Sequence, residues 1–122
     1  MPNQLSKLAT SGISAVAAQA INGDVATGLV ATGSTQATAL PLPAANNFVA
    51  TAAASTGVLM PPVNAGDEIF VFNGGANALA VYPPTGAAIN GGAANAAVSV
   101  AAGKGIYLIA GSATVIGAIV SA

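Results

Sequence analysis

Charge is what this sequence lacks most. Five of its 122 residues are charged, Lys7, Lys104, Asp24, Asp67 and Glu68, and there is no histidine, cysteine, arginine or tryptophan. Without histidine and cysteine, a Ser-His-Asp triad, a thiol nucleophile, a zinc or haem ligand set and a disulfide are all excluded. Two lysines and no arginine cannot neutralise a phosphate backbone, which argues against nucleic-acid binding. Only three carboxylates remain for acid–base work. The composition therefore predicts a protein that is not an enzyme, with no cofactor, no metal and no small-molecule substrate.

The residues that are present build a folded chain. Hydrophobic residues make up 54% of the sequence, 31 of them alanine, and Leu, Ile, Val and Phe together contribute another 31. That quarter of large apolar residues exceeds the roughly 20% below which disorder is expected. A small soluble domain ordinarily carries about a quarter charged residues, and 4% leaves little electrostatic protection against association. Alanine adds little burial per residue, and a domain this small buries only about 60–70% of its unfolded surface. Association with other copies would add what is missing.

Residues 105–122 carry no charge and reach the lower length limit of a membrane-spanning helix. Gly105, Gly111 and Gly117 interrupt the stretch, Gly111-Ser112-Ala113-Thr114 reads as a turn, and the large residues are mostly β-branched. A β-hairpin is predicted there, and no membrane partner. Lys7 followed by Ala18-Gln19-Ala20 imitates a secretory signal, but Ser11, Gly12 and Ser14 break its apolar stretch, and a cleaved signal is set aside. Residues 1–33 form a predicted N-terminal arm, extended or partly helical between Ser6 and Ala20, ordered by lying on another chain.

Residues 34–122 form the predicted β-domain. Asn47–Thr51 and Gly57–Met60 read as strands, the second stopped by Pro61-Pro62, and Leu40-Pro41-Leu42-Pro43 cannot be a central strand. An internal repeat at an offset of 37 aligns 63–82 with 100–119. The copies are identical at Val63, Ala65, Gly66, Ile69, Gly74 and Ala76, and an aromatic is kept as Phe70 or Tyr107. Each copy reads as a hairpin: an Ala-Gly turn, an apolar strand, a Gly-rich turn and a returning strand. Two copies are too few for a solenoid. The strands are apolar at nearly every position, so one face is expected to meet an opposing sheet and the other a neighbouring subunit. The fold class predicted is all-β, a short-stranded antiparallel sandwich, prism or barrel. Fifteen glycines and seven prolines spread along the chain argue against helix.

The candidate chemistries are sparse. Asp67 and Glu68 are adjacent, and neighbours in a strand point to opposite faces, so they do not converge as a catalytic pair. Asp67 and Lys104 occupy equivalent repeat positions and are candidates for an inter-strand or inter-subunit charge pair. Asp24 beside Asn22-Gly23 lacks the company a calcium site needs. Gly74-Gly75 and Gly91-Gly92 are turns without a phosphate-loop pattern. Phe70 and Phe72 share one strand face and are expected in the core, while Tyr82 and Tyr107 are expected where the hydroxyl reaches water or a carbonyl. A sugar-stacking aromatic platform is the competing reading.

The run from Gln36 onward resembles a small β-domain of tailed bacteriophages, found in virion decoration and fibre-type proteins. The resemblance rests on Gln36–Leu40, Gly57-Val58-Leu59-Met60-Pro61, Ala65-Gly66-Asp67, Phe72-Asn73-Gly74-Gly75-Ala76-Asn77-Ala78-Leu79-Ala80-Val81-Tyr82-Pro83, Gly86–Gly91 and Val98–Lys104. It departs from the pattern at the end, where Val115 to Ala122 holds no aromatic. The resemblance implies a virion structural protein on the outer capsid surface, a decoration (cement) protein that is a homotrimer and bridges copies of the major capsid protein. The apolar arm residues Leu5, Leu8, Ile13, Val16, Ile21, Leu29 and Val30 are the capsid-contact candidates. A head- or tail-fibre knob binding a host surface, and a secreted bacterial β-module of an adhesin or surface layer, are the alternatives.

Overall fold

The computed structural model describes residues 24–122. Ten strands make up the described chain, with no helix: β1 (Val25–Val30), β2 (Leu40–Pro41), β3 (Asn46–Thr51), β4 (Gly57–Leu59), β5 (Glu68–Asn73), β6 (Leu79–Tyr82), β7 (Ala88–Ile89), β8 (Val98–Val100), β9 (Gly105–Ala110) and β10 (Val115–Val120). They form a six-stranded sheet in the order β1-β3-β5-β9-β10-β7 and a four-stranded sheet in the order β2-β4-β6-β8. The all-β expectation stands. The arrangement is a β-solenoid of about four turns, which replaces the expected sandwich, prism or barrel.

The coil is visible in the pairing. From β1 to β6 the chain alternates between the two sheets, and each strand lies parallel to the equivalent strand one coil earlier. On the six-stranded sheet Val25 pairs with Asn46, and Asn46 with Phe70. On the other sheet Leu40 pairs with Val58, and Val58 with Val81. No two of these steps along the chain are equal. That is why no solenoid period is legible in the sequence: coils of different length share stacking without sharing residue spacing. After β6 the direction reverses. β8 runs antiparallel to β6, β9 antiparallel to β5, and β10 antiparallel to β9, with β7 parallel to β10 on the far edge.

The internal repeat has a different origin from the one expected. Its strands β5 and β9 are direct antiparallel neighbours, with Phe70 opposite Tyr107. Segment 100–119 contains a hairpin of β9 and β10, so the uncharged stretch 105–122 is strand and not helix. Segment 63–82 does not fold back on itself: β5 and β6 lie in different sheets, and Gly74–Ala78 is a coil corner. Similar strand and turn composition serves both a hairpin and a corner, because each asks for an extended apolar run followed by a glycine turn. Val25–Val30 belongs to the six-stranded sheet, so the folded body begins inside the segment assigned to the arm. The possible helix between Ser6 and Ala20 lies outside the described residues.

The core fills the space between the two sheets with Val49, Val58, Met60, Ile69, Val71, Leu79, Val81, Ile106, Leu108 and Ile116 among its buried members. It contains no aromatic. Ile69 and Val71 point inward, and Phe70 and Phe72 point out. This corrects the expectation that the phenylalanines are core. Every position of Ile69–Phe72 is large and apolar, so a period of two cannot tell which set is buried, and a one-residue change of register exchanges the faces. Ile69 and Val71 join the core cluster instead.

Two asparagines sit inside this interior with no exposed surface, Asn47 and Asn73. The Asn47 side-chain amide donates to the carbonyls of Ala44 (2.8 Å) and Phe70 (3.3 Å) and accepts from the Ala44 N–H (3.2 Å). The Asn73 amide donates to Asn77 O (2.8 Å) and Val100 O (2.9 Å) and accepts from Gly75 N–H (3.0 Å). Buried amides are tolerated because the corners leave backbone groups without ladder partners, and amide and backbone satisfy each other. Successive corners also approach closely. A Cβ on Gly75 would lie 2.4 Å from the backbone N of Ala52, one coil earlier, so only glycine fits there.

Candidate functional site

The outer face of the six-stranded sheet gathers four of the chain's five aromatics. Register places Asn46, Phe70, Tyr107 and Ile119 in one row across β3, β5, β9 and β10. Phe48, Phe72 and Gly105 form the next row, and Glu68, Ile109 and Gly117 the row on the other side. Phe48 meets Phe70 edge to face, with centroids 6.1 Å apart and planes at 62°, and tilts against Phe72 at 6.0 Å and 45°. Such aromatic pairs add about 0.5–1.5 kcal/mol beyond their burial. The cluster is nevertheless open to solvent. Ile119 is 72% exposed, Ile109 42%, Phe48 40% and Tyr107 38%.

A hollow interrupts this face. About 350 Å³ in volume, it lies between Phe70, Phe72, Tyr107, Ile119 and Ser121 around Gly105. Gly105 makes it possible, since a Cβ there would press to 3.1 Å on the Phe70 ring. Ile119 stands beside the hollow as the most exposed large apolar side chain on the described residues. The face carries one charged residue, Glu68, whose carboxylate accepts a hydrogen bond from the Tyr107 hydroxyl. That bond, then desolvation, then the negative charge of Glu68, hold the Tyr107 hydroxyl above its ordinary pKa of 10.0.

The three carboxylates of the sequence come closer together than strand alternation implies. Asp24, Asp67 and Glu68 all border one open groove of about 370 Å³, walled by Leu42, Pro43 and Pro61 among others. Asp67 precedes β5 and lies in a turn, so alternation along the strand does not govern it. Two of the three are engaged locally: Asp67 Oδ2 accepts the Asn64 N–H at 2.8 Å, and Glu68 accepts from Tyr107. Among the described residues no group of three or more potential ligands is placed to hold a metal ion.

The Asp67–Lys104 pair does not form within the chain. Asp67 O accepts from Ala110 N–H at one end of the β5–β9 ladder, while Lys104 O accepts from Asn73 N–H at the other. Antiparallel pairing puts equivalent repeat positions at opposite ends, separated by about 20 Å of strand. Lys104 Nζ instead donates to the backbone O of Ala122 at 2.5 Å. Of the capsid-contact candidates, Leu5, Leu8, Ile13, Val16 and Ile21 lie outside the described residues. Leu29 is half-buried against the core, and Val30 is exposed. Tyr82, the aromatic on the other sheet, donates its hydroxyl to Ser34 O at 3.0 Å.

No family model, curated protein or solved structure matches this chain. Sequence reasoning favours a core place for Phe70 and Phe72 and keeps an aromatic platform only as the competing reading. The signal that points to it is in the sequence all the same: strands 68–72 and 105–109 are apolar on both phases, which asks for a cover on each face.

Proposed function

We propose that this chain is a virion structural protein, a capsid decoration (cement) protein that binds the outside of a phage head and bridges major capsid subunits. The observation that carries this reading is a solenoid body that presents an apolar, almost uncharged sheet face to solvent. Contiguous apolar patches of a few hundred Å² on small proteins mark interaction surfaces. The resemblance of Gln36 onward to phage decoration and fibre-type domains supplies the setting. In this reading the work is mechanical. Leu5, Leu8, Ile13, Val16, Ile21, Leu29 and the exposed Val30 are the candidates for capsid contact. The solenoid, with short corners tied by buried asparagines, transmits load between the subunits it bridges.

The test is addition of the purified chain to heads assembled without it, followed by co-sedimentation and by thermal or osmotic challenge. Binding with improved survival is expected. Heads that survive equally well with and without the protein overturn the reading. A second reading, a fibre module that binds a host surface, is favoured by the exposed rings of Phe48 and Tyr107, which offer stacking faces to a sugar. Loss of adsorption with intact head stability is its distinguishing outcome.

A further inference from the structure

The geometry points to a two-fold self-association in which the outer face of the six-stranded sheet packs on the same face of a second copy, each Ile119 entering the partner's hollow at Gly105. The pair and the capsid reading draw on the same apolar face, and in the pair that face is covered by the second copy, which leaves capsid contact to the arm candidates.

Four observations carry it. First, the face has both halves of a self-complementary contact. A projecting side chain, Ile119, and a hollow of about 350 Å³ floored by Gly105 lie side by side. A two-fold axis between them sets the knob of each copy over the hollow of the other, which is the requirement of an isologous interface. Second, the area is that of a weak pair. The strands β1, β3, β5, β9 and β10, all of equal length, form the face. At about 4.8 Å between strands and 3.3 Å per residue its footprint is about 480 Å². Two copies cover about 950 Å², just under the roughly 1,000 Å² of a stable specific interface and in the range of weak, transient pairs. Third, the face offers almost no charge for a charged partner to read. Glu68 is its one ionisable acid and is already engaged by Tyr107. Fourth, the same outer phase holds Phe48, Phe70, Phe72, Tyr107, Ile109 and Ile119 while the opposite phase fills the core, so the sheet is built to be covered on both sides.

On this face the two-fold pair is the alternative to the three-fold contact expected from the resemblance. A broad sheet face is covered across its width by another sheet packed about 10 Å above it. Three such faces turned toward a three-fold axis would instead line a triangular interior, so the first associated species distinguishes the two arrangements.

The experiment is sedimentation equilibrium of the full chain from low micromolar to about 1 mM, with Ile119→Lys, Ile109→Lys and, as a control on an exposed turn, Thr85→Lys. The wild type and the control are expected to pair in the micromolar range, and both face variants to pair at least about ten-fold more weakly. Raising salt from about 0.1 to about 1 M leaves an apolar contact intact. Circular dichroism confirms that each variant is folded; if Ile119→Lys is not, Ile109→Lys and Phe48→Ser report on the same face. A wild type that stays monomeric throughout, as it would if the chain's own segment before Asp24 covers the face, overturns the inference. So does a trimer as the first associated species, pairing unchanged in the face variants, or pairing abolished by salt.

Discussion

Replacing Asn73 by alanine tests whether the coil corners are held by buried amides. The side chain has no exposed surface and makes three hydrogen bonds, to Gly75 N–H, Asn77 O and Val100 O. Their loss is unequal in cost. Val100 is buried, so its carbonyl loses a partner that water cannot replace, at about 1–3 kcal/mol. Gly75 is half-exposed and Asn77 exposed, so water partly compensates and each contributes about 0.5–1 kcal/mol. Together the substitution costs about 3 kcal/mol, a large fraction of the stability of a domain this size, and lowers Tm by about 12–20 °C. Urea unfolding followed by circular dichroism, at one protein concentration because association adds stability, measures it directly. Asn77→Ala removes one bond, to Ala52 O at 2.9 Å, from an exposed residue and is expected to cost about 1 kcal/mol. An Asn73→Ala chain within about 1 kcal/mol of wild type, or no more destabilised than Asn77→Ala, refutes the idea that the buried amide holds the corner.

Other outcomes follow from the register and the corners. Ile69→Ala empties a buried site and is expected to cost about 2–4 kcal/mol, while Phe70→Ala on the outer face of the same strand costs less in the monomer; the reverse order by urea unfolding contradicts the register. Gly75→Ala forces a Cβ to 2.4 Å from the Ala52 backbone N and is expected to destabilise by more than about 2 kcal/mol, read as a fall in Tm; a neutral result means the corners are not packed as described. Tyr107 has a folded pKa raised above 10.0, so its hydrogen bond stabilises the fold fully below the unfolded value and the contribution is lost as pH rises through the folded one. Stability is therefore expected to fall above about pH 10, and less steeply in Tyr107→Phe, in an alkaline unfolding series.

The class of the fold was legible in the residues. Glycines and prolines spaced along the chain leave few windows of 12 residues free for a helix, and apolar runs mark β3, β5, β9 and β10. The turn at Gly111–Thr114 was also legible, because it joins two strands that pair directly. The solenoid was not. The spacing between stacked partners varies from coil to coil, and the corners use the same glycine and asparagine chemistry as hairpin turns. Nothing local to Asn73–Ala78 says whether the next strand returns beside β5 or crosses to the opposite sheet; that depends on β3 and β4 already lying where β5 and β6 can stack.

The site divides in the same way. By itself the sequence determined that this chain has no triad, no thiol, almost no charge and strands apolar on both phases, a composition suited to a surface that is covered more than to one that reacts. Which phase faces the core was decided by tertiary structure alone. Ile69-Phe70-Val71-Phe72 satisfies either choice, and packing between the two sheets takes Ile69 and Val71 and leaves the rings on the outer face. The same packing places Tyr107 over Glu68, parts Asp67 from Lys104 by the length of a strand, and sets Ile119 beside the hollow at Gly105, because antiparallel neighbours bring together residues that no spacing along the chain relates.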